Sequence, residues 1–245
     1  MLIAGFPAGS FGTNCYVIAP GAGERCVVID PGENAVDGVT ELLRQHRLRP
    51  AAVVLTHGHL DHMWSVTPVC GAHDVPAYIH PADRFMLADP LKGVSPQLAA
   101  MVGAVEFTEP DEVRELADGE PLGLAGVLGF DLVVDHAPGH TKGSVTFTLP
   151  RLDAAGDPDV MFSGDLLFAG SIGRSDLPGG DSREMVESLV RVVLPRPDDT
   201  PVLPGHGGRT TIGRERASNP FLRSAQDSGS QVQGLKDVDS ARPGL

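Results

Sequence analysis

One apolar segment that runs without a break into four metal-binding side chains constrains this chain more than any other feature. Ala51-Ala-Val-Val-Leu-Thr56 is an unalternating run, the mark of a strand covered on both faces, and His57-Gly-His-Leu-Asp-His62 follows it directly. Residues two apart in an extended loop point the same way. His57 and His59 can therefore grip one ion, while Asp61 and His62, from the turn beyond, reach a second beside it. Imidazole suits zinc and ferrous iron, and carboxylate adds a harder oxygen donor.

The flanking pattern predicts a layered α/β domain. Cys15–Ile18 and Cys26–Asp30 read as two strands of a hairpin around Pro20–Gly23. Val36, Val39, Leu42, Leu43 and His46 recur at helical spacing, with Asn34 as cap and an end near Arg49-Pro50. Strand, helix, strand then leads into the histidine segment, which places the chemistry at strand ends. Further strands are expected at Val75–Ile79, Leu128–Val134, Ser144–Leu149, Val160–Phe162 and Thr200–Leu203, with a hairpin loop over Asp153–Asp159. A helix is expected to start at Pro81–Leu87, and another spans Ser182–Leu194, with Ser182 and Glu184 in its first turn. Asp89–Gly126 has weak periodicity. Two strand-rich halves, each with helices, suit two sheets packed face to face. After Leu222 the composition turns to Ser, Gln, Gly and Asp, so Ala225–Leu245 is expected to be disordered.

Three more donors each follow a strand-like run. They are His140 in Pro138-Gly-His140-Thr, Asp165 in Ser163-Gly-Asp165, and His206 in Pro204-Gly-His206-Gly. Glycine beside each permits tight turns and close approach to a shared centre. Singly, each is ordinary turn chemistry; together with the fourfold segment they point to one metal centre.

Composition excludes several classes. No apolar run approaches the roughly 20 residues of a spanning helix, and the first basic residue is Arg25, so a cytoplasmic protein without a secretory signal is expected. A net charge of −13 argues against nucleic-acid binding. Three cysteines, Cys15, Cys26 and Cys70, without CxxC spacing, form no disulfide framework and read as buried thiols. His46, His73, His80 and His136 read as structural or exposed, and Lys142 as an exposed turn lysine.

The quoted segments resemble the metallo-β-lactamase superfamily, and within it the glyoxalase II branch. Leu167-Phe-Ala-Gly-Ser-Ile-Gly-Arg-Ser-Asp-Leu-Pro-Gly-Gly-Asp181, Thr210-Thr-Ile-Gly-Arg-Glu215 and Asn219-Pro-Phe-Leu222 are similar to bacterial hydroxyacylglutathione hydrolase-like proteins. The likeness covers residues 1–222, which defines a catalytic domain followed by a tail over 223–245. It implies a four-layer αββα sandwich with the metals at one edge of the sheets. It also implies two divalent ions, zinc or iron: His57, His59 and His140 on the first, Asp61, His62 and His206 on the second, and Asp165 bridging both. Asp165 stands where one class of zinc β-lactamases has a cysteine, which argues against that class.

On that reading the chain is a metal-dependent hydrolase of S-acyl thioesters, either S-lactoylglutathione or the ester of another low-molecular-weight thiol. A hydroxide generated between the ions attacks the carbonyl carbon, and Asp61, the catalytic residue, orients it and accepts its proton. A thiolate leaves readily because its parent thiol has a pKa of about 8.5, and no Gly-x-Ser-x-Gly elbow is present. Arg174 is the candidate for substrate binding, although an ion pair with Asp176 that stabilises the loop is the favoured reading of that residue. Glyoxalase II continues into a helical segment with basic residues that grip glutathione, whereas here only a short segment follows His206. The rivals are a persulfide dioxygenase with a single iron on two His and one Asp, a lactone or β-lactam hydrolase, a nuclease disfavoured by charge, and a non-catalytic scaffold.

Overall fold

A computed structural model describes residues 1–102, 105–150 and 159–227. Strands β1 (Leu2–Ala8), β2 (Thr13–Ala19) and β3 (Arg25–Ile29) form an antiparallel meander, and helix α1 (Ala35–His46) carries the chain to β4 (Arg49–Val54), parallel to β3. Helices α2 (Leu60–Met63) and α3 (Val66–His73) lead to β5 (Ala77–Ile79). Two 3-10 turns, Pro81–Leu87 and Pro90–Gly93, and helix α4 (Pro96–Val102) precede β6 (Val113–Glu115). Beyond α5 (Ala125–Leu128) come β7 (Val133–His136), β8 (Val145–Leu149) and β9 (Val160–Gly164). Helix α6 (Ser182–Ser188) continues into a π-helical turn, Leu189–Val193, followed by β10 (Pro201–Pro204), β11 (Thr210–Thr211) and α7 (Ile212–Ser218).

The strands make two sheets, ordered β1-β2-β3-β4-β5-β6 and β11-β10-β9-β8-β7. Side-chain alternation explains the layering. Along β3, Cys26 and Val28 pack outward with Val39 and Leu43 of α1, whereas Val27 and Ile29 pack inward with Phe147 and Phe162 of the second sheet. Along β9, Phe162 faces that inner core while Met161 faces outward onto Met185, Leu189 and Ile212. Each central strand is thus apolar on both faces. Burying one such Val or Ile side chain is worth about 1.5–3 kcal/mol, so the αββα sandwich expected from the family likeness is also what these runs require.

Local readings differ in places. Asn34 occupies the position before α1 with φ 54° and makes no side-chain cap. The helix stops at His46, with Arg47 left-handed, and Arg49-Pro50 already belongs to β4. Leu128 ends α5, so the strand expected over Leu128–Val134 begins only at Val133. Asp181, whose carboxylate accepts from the amides of Arg183 and Glu184, caps α6, and Ser182 and Glu184 lie in its first turn as expected. β1 and β6, one at each edge of the first sheet, were not expected: β6 is three residues long, and β1 carries glycine and proline. The chain is helical over 220–227, and Ala225, 1% exposed, packs against α6 and α7, so the domain reaches past Leu222. The rest of the expected tail, 228–245, and the loop expected at 153–159, except Asp159, lie outside the described residues.

No helix among the described residues is long and apolar enough to cross a membrane. All three cysteines are buried free thiols, and burial pushes Cys26 and Cys70 up to about 12. Since the thiolate is the reactive form, a disulfide-exchange reagent at pH 8 is expected to titrate no thiol in native protein and three after denaturation.

Candidate metal centre

All five histidines and both carboxylates of the expected ligand set meet at one edge of the sandwich, beyond the carboxyl ends of β4, β7, β9 and β10. Donor atoms of His57, His59 and His140 lie within 4.8 Å of one another, as do those of Asp61, His62 and His206, and those of His57, His62 and Asp165. Asp165 joins the groups: Oδ1 lies 3.3 Å from His62 Nε2, and Oδ2 lies 3.5 Å from His140 Nε2 and 3.6 Å from His206 Nε2. Asp61 Oδ2 is 3.1 Å from His206 Nε2 and accepts a hydrogen bond of 2.9 Å from Thr13 Oγ1.

Hydrogen bonds from behind fix which ring nitrogen faces the centre. His140 Nδ1 donates to the carbonyl of Arg174 at 2.6 Å, which turns the Nε2 lone pair inward. Asp30 Oδ2 accepts from His62 Nδ1 at 2.9 Å and from Thr56 Oγ1 at 2.6 Å. With its proton given to Asp30, the Thr56 hydroxyl accepts from His57 Nδ1, 3.1 Å away. Asp30 thereby sets the tautomers of two histidines, one directly and one through Thr56. Its backbone sits in the left-handed region at φ 48°, uncommon outside glycine. The sequence marks it only as the last residue of the strand-like run Cys26–Asp30. The available signal was an acid closing a buried β-branched strand, where a carboxylate needs donors to be tolerated.

The donors fit divalent ions. His57 Nε2 is buried without a hydrogen-bond partner, a costly arrangement for a polar atom unless a ligand completes it. Burial, reinforced by the surrounding imidazoles, holds His57 well below the ordinary imidazole range and His59 down to about 3. Both rings are therefore neutral, with lone pairs available. Although burial opposes it, His62 and His206, with the Thr13 hydroxyl, keep Asp61 ionised below the usual carboxylate range. His57, His59 and His62 are buried, whereas the side chains of His206 and Asp61 are 27% and 19% exposed, so the cluster opens to solvent on that side.

The surrounding loops are held by buried polar groups. Glu215 accepts from Thr210 Oγ1, the Gly170 amide and Asn219 Nδ2, and Asn219 Nδ2 also donates to the Ser171 carbonyl. This pins the turn that sets Phe168 edge-on to His206, with ring centroids 6.0 Å apart. Arg174 forms a two-point ion pair with Asp176, at 2.7 and 2.8 Å, and Lys142 bonds Glu184 at 2.9 Å. His80 and His136 stack on each other, with centroids 4.1 Å apart.

Residues 8–206 match the family model of the metallo-β-lactamase superfamily. Hydroxyacylglutathione hydrolase GloC of Haemophilus influenzae is 33% identical over 221 residues, covering 89% of this chain and 96% of that protein. Among solved structures, the B3 metallo-β-lactamase BLEG-1 superposes with a TM-score of 0.76 at 34% identity, covering 90% of this chain and 99% of that one. TTHA1623, solved in a di-iron-bound form, gives 0.71 at 37% identity, covering 90% and 100%. Sandwich, converging donors and matched sequence agree, and the chain belongs to the metallo-β-lactamase superfamily of metallo-hydrolases.

Proposed function

We propose that the chain hydrolyses S-acyl thioesters of a low-molecular-weight thiol, with S-lactoylglutathione the first substrate to test. The observation that carries this reading is the position of Asp165, one carboxylate facing His62 and His206 on one side and His140 on the other. Such a junction suits two neighbouring ions better than one. The likeness to GloC supports a thioester over other acyl compounds.

Bound there, two divalent ions, zinc or iron, supply a water acidified to a pKa of about 7 and polarise the acyl carbonyl. The protein's own part is placement. Thr13 fixes Asp61 at the open side of the cluster, where the carboxylate orients the attacking water and takes its proton. Asp30 and the Arg174 carbonyl keep ring protons pointed away from the centre. The departing thiolate needs little protonation, its parent thiol having a pKa of about 8.5. Arg174 is assigned to an acidic group of the substrate. Its pair with Asp176 is exposed and screened by solvent, so a substrate carboxylate can take the place of Asp176.

Protein loaded with zinc or ferrous iron is expected to hold two ions per chain and to hydrolyse S-lactoylglutathione. A chelator should remove the activity and metal should restore it. Lactone or β-lactam hydrolysis is the second reading, favoured by the likeness to BLEG-1, and belongs in the same substrate panel with non-glutathione thioesters. One iron per chain with oxygen consumption on a persulfide would indicate a dioxygenase. Two bound ions with no thioesterase activity would overturn the thioester reading.

A further inference from the structure

Asp83 is a buried carboxylate, 1% exposed, on the 3-10 turn Pro81–Leu87, and the reaction outlined above gives it no part. Its Oδ2 accepts from the Gly58 amide at 3.0 Å and from Thr141 Oγ1 at 2.6 Å, and its Oδ1 accepts from the Gly143 amide at 2.8 Å. Gly58 lies between His57 and His59; Thr141 and Gly143 follow His140. One side chain thus ties together the two loops that carry His57, His59 and His140. Thr141 is oriented in turn by Ser144, whose Oγ lies 2.7 Å from the threonine hydroxyl and accepts from the Thr141 amide at 3.1 Å.

The packing around Asp83 shows why two of its partners are glycines. A Cβ on Gly143 would lie 2.5 Å from the Asp83 carboxyl carbon, and one on Gly58 would lie 2.9 Å from the Asp83 carbonyl oxygen. Both loops approach the acid more closely than any side chain at these positions allows. A buried charge without a cationic partner costs several kcal/mol. Burial indeed pushes the Asp83 carboxyl up, against the pull of Thr141, Gly58, Gly143 and His140. No Lys or Arg pairs with it among the described residues. A hydrophobic residue here would leave three buried donors without an acceptor, so the carboxylate is what holds the two loops at this spacing.

We infer that Asp83 is a positioning residue for the His57, His59 and His140 group, setting the spacing of its two loops and placing a negative charge behind them. This rests on the metal-centre reading but not on the identity of the substrate. The test is competition for zinc against a chromophoric chelator, with apo and zinc-loaded melting curves, on wild type, Asp83→Asn and Thr141→Val. Asparagine keeps the shape but removes the charge and aims an N–H at a donor. One class of zinc site is expected to weaken by roughly 10–100-fold in Asp83→Asn, the usual range for a group that orients metal ligands. The other class should hold, and Thr141→Val should show a smaller change in the same direction. Lower melting of apo and loaded protein alike, with unchanged zinc affinity, would mean a merely structural role and overturn the inference. Should Asp83→Asn fail to fold, Thr141→Val decides alone, and unchanged affinity there overturns the inference as well. Wild-type protein that takes up no zinc would instead sink the metal-centre reading.

Discussion

Asp165→Asn is expected to lower thioester turnover by at least ~10³-fold, equivalent to about 4 kcal/mol of transition-state stabilisation, and to reduce bound metal from two ions per chain to one or fewer. The size of the effect follows from where the side chain sits. Its two oxygens face three imidazoles that belong to both donor groups. Asparagine preserves volume and leaves one acceptor, but it removes the charge that faces both ion positions at once. Loss of one ion should therefore accompany loss of rate. Elemental analysis beside steady-state kinetics checks the pairing. A variant that retained two ions and near wild-type turnover would show that Asp165 is no junction, and the two-ion device would fall with it. Melting of the metal-free variant should change much less than melting of the loaded protein, because the contribution of Asp165 comes through the ions.

The side chains that converge at the candidate metal centre were legible in the sequence because each sits in a short glycine-flanked turn after an apolar strand, a pattern that needs no knowledge of the tertiary fold. His57 to His62 announced themselves by spacing alone, and His140, Asp165 and His206 by what precedes them. The groups that orient them were not legible. Asp30 is 32 residues from His62 and Asp83 is 58 from Thr141, and no local spacing links either pair. Only sheet order brings them together: β3 lies beside β4 with Ile29 opposite Val54, which sets Asp30 against Thr56. Among the elements, the strongly periodic α1 and the β-branched strands were read nearly in register. β6 was missed because a three-residue strand carries no periodicity, and it forms only by pairing with β5. At the start of the expected tail composition says nothing of tertiary contact: Ala225 is covered by α6 and α7 rather than by its sequence neighbours.

Asp30 gives the second large expected effect, and its variants separate geometry from charge. In Asp30→Ala the Thr56 amide, the Thr56 hydroxyl and His62 Nδ1 all lose their acceptor inside a buried site, at about 1–3 kcal/mol for each group left unsatisfied. Alanine must also adopt φ 48°, which costs a further ~1–2 kcal/mol. That sum is a large share of the ~5–15 kcal/mol by which a domain is usually stable, so Asp30→Ala is expected to be poorly folded at 37 °C. Asparagine tolerates the left-handed backbone and can still accept from the Thr56 amide, so Asp30→Asn is expected to fold. It presents an N–H where an acceptor was needed, which frees His62 to rotate or to adopt the other tautomer. Zinc affinity is then expected to fall ~10–100-fold, with a parallel fall in turnover. Thr56→Val isolates the second branch of the relay, since it releases His57 while leaving the Asp30 to His62 bond in place. The two variants should therefore differ in a chelator competition: Asp30→Asn weakens both zinc sites, Thr56→Val mainly the one that uses His57. Equal affinities for all three proteins would mean that the histidine orientations are held by packing alone. Asp30 would then be a structural acid at the end of a strand, with no influence on the metal.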